Sequence, residues 1–231
     1  MSERARFVRI IALTAIAIAS PTLSLRAQTD GTCIPVALRE GREFGSFITA
    51  RQELGPLPAT PALYWHLDTY PTVAAARVTG DRRSTVVESY GRVWLFTIAP
   101  AEWRAPGGKR FARVGPLPLV KADSFAAVYM EGTFQPGMQS IVHRHAGAEA
   151  WITLAGSMCL ESPEGKQEQA AGDEGVMIRA GLPMLLTGTG KGPRKSLVLI
   201  LQDATQPRST PAPDWKPRNL CSDSVSFDKR Y

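Results

Sequence analysis

Two histidines and a glutamate stand close together in the stretch GMQSIVHRHAGAEAWITLAG, residues 137–156. Alternate residues of a β-strand point to the same face, so His143 and His145 are predicted to present two imidazoles side by side. The small residues 146–148 allow a sharp turn before Glu149, which opens the next apolar run. If the two strands pair, two neutral nitrogens and one carboxylate oxygen share a face. Such a 2-His-1-carboxylate set suits a divalent ion of Fe, Mn, Ni, Zn or Cu and leaves positions open for substrate or water.

The elements that must position these side chains are predicted to be short strands. The 231 residues include 18 prolines and 20 glycines, and a content of 44% hydrophobic and 21% charged residues is that of a soluble globular protein. Strand-like runs alternate with turn residues, which is typical of an all-β sandwich or barrel. The turns SPEG (162–165) and GKGP (190–193) are predicted hairpins. The runs are TVAAARVTG, STVVESYG, RVWLFTIAP, FARVGPLPLV, SFAAVYMEGTF, SIVHRH, EAWITLAG, SMCLES, GVMIRAG, PMLLTGTG and SLVLILQD.

The histidine stretch resembles the first conserved motif of the cupin superfamily, G-x5-H-x-H-x3-E-x6-G. The five fixed positions of that motif are occupied by Gly137, His143, His145, Glu149 and Gly156. The resemblance covers residues 120–203 and implies a double-stranded β-helix, or jelly-roll, barrel that holds a metal inside through the two histidines and the glutamate. It also implies dimerisation through edge strands, so a homodimer is expected.

The second cupin motif, G-x5-P-x-G-x2-H-x3-N, normally supplies a further histidine, and here the chain departs from it. The corresponding stretch is GDEGVMIRAGLPMLLTG. With Gly181 aligned on the inner glycine of the motif, Arg179 replaces its proline and Met184 replaces its histidine. The chain has only one other histidine, His66, in the stretch YWHLD.

Four interpretations of the fourth position stay open. The site has three ligands and Met184 is an apolar wall; or the Met184 thioether is itself a ligand, which favours copper; or His66 reaches the barrel mouth; or no metal is held and the pocket takes an organic ligand. A thioether is far more often core packing than a ligand, so the first is preferred to the second. Trp151 and Thr153 continue the Glu149 face and are further candidates to line the pocket, with core packing as the alternative for Trp151.

The function that the resemblance implies is metal chemistry on a small molecule. Cupins include dioxygenases, isomerases, decarboxylases, lyases and non-catalytic binders, and the fold does not choose among them. A metal with open positions favours a metal-dependent dioxygenase or lyase acting on a small-molecule substrate. The alternative is a non-catalytic barrel that binds a small molecule or a metal, and the apolar Met184 in the histidine position favours it.

The first 27 residues are predicted to be a secretory signal peptide. Arginines precede an uninterrupted apolar run, IIALTAIAIA, and the polar stretch after it ends at Ala27, where cleavage is expected. This run is too short for a membrane span, which takes about 20 apolar residues. The mature protein is therefore expected in the periplasm or outside the cell. Removing the segment, with its four arginines and one glutamate, lowers the formal net charge from +6 to +3. No dense basic run remains, which argues against nucleic acid as a partner.

The patterns divide the chain into four segments. After the signal peptide 1–27 come an N-terminal extension with a proline-rich linker (28–62), the cupin barrel domain (63–205) and a proline-rich tail (206–231). A short helix is expected in GREFGSFITARQELG, within the extension.

Three cysteines remain after cleavage: Cys33, Cys159 and Cys221. An oxidising compartment permits one disulfide and leaves one thiol. Cys33 and Cys221 lie in polar terminal segments, whereas Cys159 lies in a strand-like run. A Cys33–Cys221 disulfide joining the two tails is therefore predicted.

Overall fold

The computed structural model describes residues 34–224, which form fifteen strands and one α-helix. The predicted signal peptide lies outside the described residues. In chain order the strands are β1 (Ile34–Pro35), β2 (Gly45–Gly55), β3 (Leu63–Tyr70), β4 (Ser84–Ser89), β5 (Arg92–Pro100), β6 (Lys109–Val114), β7 (Phe125–Phe134), β8 (His143–His145), β9 (Ala148–Ala155), β10 (Ser157–Ser162), β11 (Gly165–Ala170), β12 (Val176–Ile178), β13 (Leu185–Thr189), β14 (Arg194–Asp203) and β15 (Ser209–Pro211). The helix α1 spans Val73–Thr79, and two 3-10 turns span Val36–Leu38 and Ser222–Ser224.

The strands form three layers around a six-stranded middle sheet, whose spatial order is β1-β2-β7-β14-β9-β12. The four-stranded sheet β4-β5-β3-β6 packs on one face of the middle sheet. The three-stranded sheet β11-β10-β13 and the pair β15-β8 lie against the other face. These two smaller sheets and the middle sheet enclose a barrel. The predicted all-β double-stranded β-helix is confirmed.

The middle strands are apolar along their length because both faces of the sheet are covered. All ten residues of β7 are buried. Since the side chains alternate, each strand contributes to two cores, which we name the outer core, towards the four-stranded sheet, and the barrel core. The middle sheet gives the outer core Ala127, Tyr129, Ala150, Ile152, Leu197, Leu199 and Leu201. It gives the barrel core Val128, Met130, Trp151, Val198 and Ile200.

The second wall of the barrel is a continuous ladder made of short pieces. The segment before β8 runs antiparallel to β13 through the bridges Gln139–Thr187 and His143–Met184. The backbone N–H of Ser140 donates to the carbonyl oxygen of Leu186, and the backbone N–H of Leu186 donates to Oγ of Ser140, which continues this ladder. Strand β8 then pairs with β15 on its other side. The wall is therefore ordered β11-β10-β13-β8-β15, and β8 lies within it.

The N-terminal half departs from the predicted elements in two places. The stretch predicted as a short helix in the extension forms β2, which pairs with β7 in the middle sheet. Its Ile48 packs against the barrel core, so tertiary burial outweighs local preference. The run TVAAARVTG is the helix α1 instead of a strand: the Thr72 hydroxyl accepts a hydrogen bond from Ala75 N as an N-cap, and its alanines favour a helix. Among the described residues, no helix has the length and apolar character to span a membrane.

One of the two predicted hairpins is present. SPEG joins β10 to β11, with Ser162 directly opposite Gly165. GKGP joins β13 to β14, which belong to different sheets, so this turn is a corner of the barrel. The prediction of a hairpin there is wrong, because a tight turn alone does not reveal whether the chain returns alongside itself or crosses to the facing sheet.

The disulfide links Cys159 to Cys221, with Cα atoms 5.7 Å apart. The predicted pairing of Cys221 with Cys33 is therefore wrong, and Cys33 lies outside the described residues. The C-terminal tail does not run to the N-terminal segment: it packs along β10, where the buried Glu161 carboxylate accepts hydrogen bonds from the backbone N–H groups of Arg218 and Leu220. Because Cys159 also lies on β10, this contact brings Cys221 of the tail beside it.

Candidate metal centre

The two histidines of β8 are both buried, and their ring centroids lie 4.8 Å apart. Nδ1 of His143 lies 2.9 Å from the carbonyl oxygen of Ile141, and Nδ1 of His145 lies 2.8 Å from that of Arg208. A carbonyl oxygen only accepts, so Nδ1 carries the proton in both rings. In the neutral imidazole the lone pair is then on Nε2, which is the state required of a metal ligand.

Glu149 approaches the histidines from the facing wall of the barrel. Strand β9 pairs with β14 and β12, whereas β8 pairs with β15, so the pairing of β8 with β9 that the sequence predicted is wrong. The carboxylate nevertheless arrives at the same place: its Oε2 lies 3.4 Å from Nε2 of His145. The turn at Gly147 permits this approach, because a Cβ there would overlap the carbonyl oxygen of Leu201.

The charge on Glu149 is set by two opposing effects. Burial alone raises the pKa of this carboxyl, since only 4% of the residue is exposed. His145 and His143 in their protonated form, together with Arg194, outweigh burial and hold the pKa below its usual value; when the imidazoles are neutral, a bound cation would take over this role. Its Oε2 has no hydrogen bond. A buried anionic oxygen without a hydrogen bond is costly and calls for a positive partner.

These side chains border a cavity of about 30 Å³ inside the barrel. This is room for about two water-sized species, such as one ion and one small ligand group, since about 10–15 Å³ already suffices for a water. Apolar side chains of the barrel core close one side, and two arginines border the other. The lining residues are Ser46, Met130, Gly132, His143, His145, Glu149, Leu186, Arg194, Val198, Ile200 and Arg208.

Met184 lies directly opposite His143 across an antiparallel bridge, and the two residues exchange both backbone hydrogen bonds. Residues opposite each other in such a pair point to the same face. Met184 is therefore the nearest neighbour of His143 on the next strand, the place that the second motif gives to a histidine. Its side chain is 1% exposed and packs in the barrel core, beside the cavity and not at its surface.

The other three predicted pocket residues do not border the cavity. Trp151 packs in the barrel core, and Thr153 donates a hydrogen bond to Oε1 of Gln169 at 2.7 Å. Both share the Glu149 face, as predicted, but lie further along β9 than the cavity extends.

His66 lies in the four-stranded sheet, on the far side of the middle sheet from the cavity. Its Nε2 donates to the carbonyl oxygens of Ala99 and Pro100, and its ring packs against Trp103. The prediction that it reaches the pocket is wrong, because YWHLD is a central strand of its own sheet and not a decoration at the barrel mouth.

About a third of the chain is similar to parts of solved structures. No family model and no curated protein matches the chain. Solved structures do match, among them a cupin superfamily protein of Desulfitobacterium hafniense with 21% identity over 33% of this chain and 68% of that one, at a TM-score of 0.31. A cupin-like protein of Thermotoga maritima matches with 14% identity over 37% of this chain and 64% of that one, at a TM-score of 0.34.

A DMSP lyase of Ruegeria pomeroyi also matches, with 20% identity, 39% of this chain, 45% of that chain and a TM-score of 0.34. The chain thus covers less than two thirds of the Thermotoga and Ruegeria structures. At such identity these likenesses concern the fold. They cover 33–39% of this chain.

The donor groups at the cavity, two imidazoles and one carboxylate, are of the types that bind divalent metal ions. Two imidazoles protonated at Nδ1, one buried carboxylate and an ion-sized cavity are the observations that fit. As they stand, no three His, Cys, Asp or Glu side chains of residues 34–224 are arranged as a metal-binding group. The fold therefore brings the predicted ligands to one cavity without closing them into a coordination sphere.

Two arginines at the cavity were not predicted from the sequence. Arg194 opens β14 and is 2% exposed, and burial lowers its pKa to about 10. Arg208 precedes β15, in the segment predicted as a proline-rich tail. In the sequence Arg194 follows the turn GKGP and resembles a solvent-exposed flanking charge. Its burial depends on tertiary packing, which no local pattern shows.

Proposed function

We propose that this protein binds one divalent metal ion inside its cupin-like barrel through His143, His145 and Glu149. The observation that carries the proposal is the arrangement at the cavity: two imidazoles with Nδ1 bonded to backbone carbonyls, beside a buried carboxylate oxygen that has no hydrogen bond. Such outer hydrogen bonds orient metal-binding histidines and fix their tautomer in known metal sites.

The electrostatics of the cavity support the same proposal. Glu149 is ionised and buried, and its Oε2 has only the 3.4 Å approach of His145 Nε2. A cation between the carboxylate and the imidazoles would compensate this charge at the point where the donors face each other. The cavity of about 30 Å³ has the size for one ion.

When bound, the metal would supply Lewis-acid or oxygen-activating chemistry. Three protein ligands leave positions open, so the activity to test first is that of a dioxygenase or a lyase on a small molecule. The role of the chain's own residues is to hold and orient: Ile141 and Arg208 fix the rings through their carbonyl oxygens, and Met184 packs as an apolar side chain opposite His143.

A second candidate function is a non-catalytic metal-binding barrel. The observation that favours it is the size of the cavity, about 30 Å³, against the roughly 300–1,000 Å³ of typical small-molecule sites. Met184 beside His143 adds to the apolar enclosure. The two candidates share the metal site and differ only in whether a substrate enters.

Export is part of the proposal. The disulfide Cys159–Cys221 supports it, because structural disulfides form and persist in oxidising compartments. Mass spectrometry of protein isolated from its native compartment should find a mature chain that begins after Ala27. A chain that keeps its first 27 residues in the cytoplasm would contradict export.

The metal site is tested by elemental analysis of the purified protein. We expect about one divalent ion per chain, and less than about a tenth of that in His143→Ala, His145→Ala and Glu149→Gln, since each change removes one of three donors. The matched control is His66→Gln, which alters a buried histidine far from the cavity and should keep its metal. Protein that is metal-free and also refuses added Fe, Mn, Ni, Zn and Cu would overturn the proposal.

A further inference from the structure

Arg194 is the one feature of the cavity that metal binding leaves unexplained. Its side chain is among the largest fully buried ones, yet within residues 34–224 it makes no hydrogen bond and no ion pair. Its nearest described interaction is a contact of the guanidinium carbon with the ring of Phe134, 5.6 Å from the centroid. A guanidinium carries five N–H donors and stays charged at physiological pH.

A buried cation without acceptors is unfavourable unless a partner that is absent from the chain supplies them. Glu149 interacts with Arg194 through its charge, but the two groups do not form an ion pair. The acceptors must therefore come from a molecule in the cavity that Arg194 borders.

The surroundings of Arg194 leave space for such a molecule. Gly132 lies on β7 opposite Ser46 and Ser196 and borders the cavity without a side chain. A Cβ at position 132 would lie 3.5 Å from Nη1 of Arg194 and 3.1 Å from Oγ of Ser196, so an alanine there would take up space beside the guanidinium. Arg208 borders the same cavity, and its buried Nε also has no hydrogen bond.

The charges point to an anion. If the cavity holds a divalent cation as proposed above, the cation and Arg194 together exceed the single charge of Glu149 by two positive charges, within apolar walls. A net positive charge of that size in a low-dielectric site attracts an anionic ligand strongly. The planar guanidinium fork matches the two oxygens of a carboxylate.

We propose that the barrel cavity binds the carboxylate group of a small organic acid at Arg194, next to the metal ligands. This inference rests on the proposed metal site for the placement of the remainder of the acid, and on the buried, unpartnered guanidinium for the carboxylate itself. The substrate class of the protein is accordingly a small carboxylate, and a formate-sized group matches a cavity of about 30 Å³.

The experiment measures the melting temperature of the protein in increasing concentrations of formate and of acetate, with chloride and phosphate at equal ionic strength. It is run on chelator-treated protein and on metal-loaded protein. A ligand that binds only the folded state raises the melting temperature. We expect formate or acetate to raise it by at least about 3 °C at saturating concentration in both forms, with a smaller effect of chloride or phosphate.

Two variants locate the effect. Arg194→Met keeps an unbranched apolar stem and removes the charged guanidinium, so the response to formate should disappear. Gly132→Ala keeps Arg194 and narrows the space beside it, so the response should shift to at least about tenfold higher concentration, a cost of about 1.4 kcal/mol in affinity. The matched control is Arg77→Met on the exposed face of α1, which should respond like the wild type.

The outcomes separate this inference from the metal site. A wild-type protein that contains its metal but does not respond to formate or acetate overturns the carboxylate site alone. An equal response to chloride, or a response that survives in Arg194→Met, overturns it as well. A protein that contains no metal as purified and takes up none when Fe, Mn, Ni, Zn or Cu is added, yet responds to formate through Arg194, overturns the metal proposal and supports the carboxylate site.

Discussion

The two faces of the middle sheet are built from the same strands but are put to different uses. On the outer face, side chains such as Tyr129, Leu199 and Ile152 pack into a continuous apolar core against the four-stranded sheet. On the barrel face, the next residues along the chain border a cavity that also contains Glu149 and Arg194, both ionised and buried. Because side chains alternate along the strands, a residue that packs in the outer core is followed directly by one that faces the barrel.

The two layers outside that sheet are also held differently. The four-stranded sheet is held mainly by apolar burial, with Trp65, Trp94 and Phe96 fully buried in the outer core. The barrel's second wall is additionally fastened by the C-terminal tail through the disulfide at Cys221 and the contact with Glu161. The barrel face can therefore keep polar side chains inside because part of its stability comes from outside the core.

The largest expected effect is the loss of that fastening. Cys221→Ser removes a link between residues 62 apart in sequence. Closing a loop of this length stabilises the folded state by about 4 kcal/mol in the chain-entropy treatment, so urea denaturation should show a loss of about 3–4 kcal/mol. Reduction of the wild type should have the same effect.

The matched control for the disulfide is Cys33→Ser, which should leave the stability unchanged and the Cys159–Cys221 disulfide intact. If Cys33→Ser destabilises the protein as much as Cys221→Ser, then the tail is not fastened to β10. The contrast between the two layers would then be lost.

The next effect tests the outer core. Leu199 is fully buried there, and Leu199→Ala should lower the unfolding free energy by about 3 kcal/mol, because it removes buried methyl groups and leaves a cavity. Metal per folded molecule should stay at the wild-type value, since the side chain points away from the cavity. A loss of stability below about 1 kcal/mol, or a loss of metal from folded protein, would mean that the two faces are not independent.

How far the sequence predicts this molecule depends on the range over which each signal acts. The jelly-roll fold and the convergence of His143, His145 and Glu149 follow from a motif of twenty residues. The strand pairing that brings them together does not follow from the motif. Strand β8 pairs with β15 and not with β9, and β15 comes from the tail. A motif conveys that side chains meet, but the strand that supports them can come from sixty residues away.

The misassigned features share a physical cause. Arg194 and Cys221 both have the local composition of exposed segments, and each is buried only because another part of the chain packs on it. The run TVAAARVTG was predicted as a strand because of its neighbours, although its alanines and the Thr72 cap favour a helix. The burial of Arg194 and Cys221 is decided by tertiary partners, whereas the helix at TVAAARVTG is indicated locally by its alanines and the Thr72 cap.

A smaller effect distinguishes His66 from the barrel histidines. Its Nε2 is already hydrogen bonded to two carbonyls, and its buried Nδ1 has no partner, so a second proton there finds no acceptor. Burial, and then the charge of Arg110, lower the pKa of His66 from 6.5 to about 4. The unfolded chain therefore binds more protons than the folded one between these values, and stability falls as the pH decreases from 6.5 towards 4.

We expect this histidine to account for a loss of about 3 kcal/mol across that pH range. Urea denaturation at several pH values measures it, and His66→Gln should flatten the slope while leaving stability at pH 8 within about 1 kcal/mol. A slope that is unchanged in the variant would assign the acid sensitivity to the barrel face instead of the outer sheet.

The smallest expected effect has the opposite sign and returns to the barrel face. Arg194→Met replaces a buried guanidinium that lacks acceptors by a shorter, unbranched apolar side chain. In buffer without carboxylates the unfolding free energy should stay equal or rise by about 1 kcal/mol, because a cost of desolvation is removed and no hydrogen bond is lost. Shortening a buried side chain is therefore expected to destabilise the protein at Leu199, on the outer face, but not at Arg194, on the barrel face. If Arg194→Met loses about 2 kcal/mol or more, the guanidinium contributes to the fold, and its burial needs no ligand to explain it.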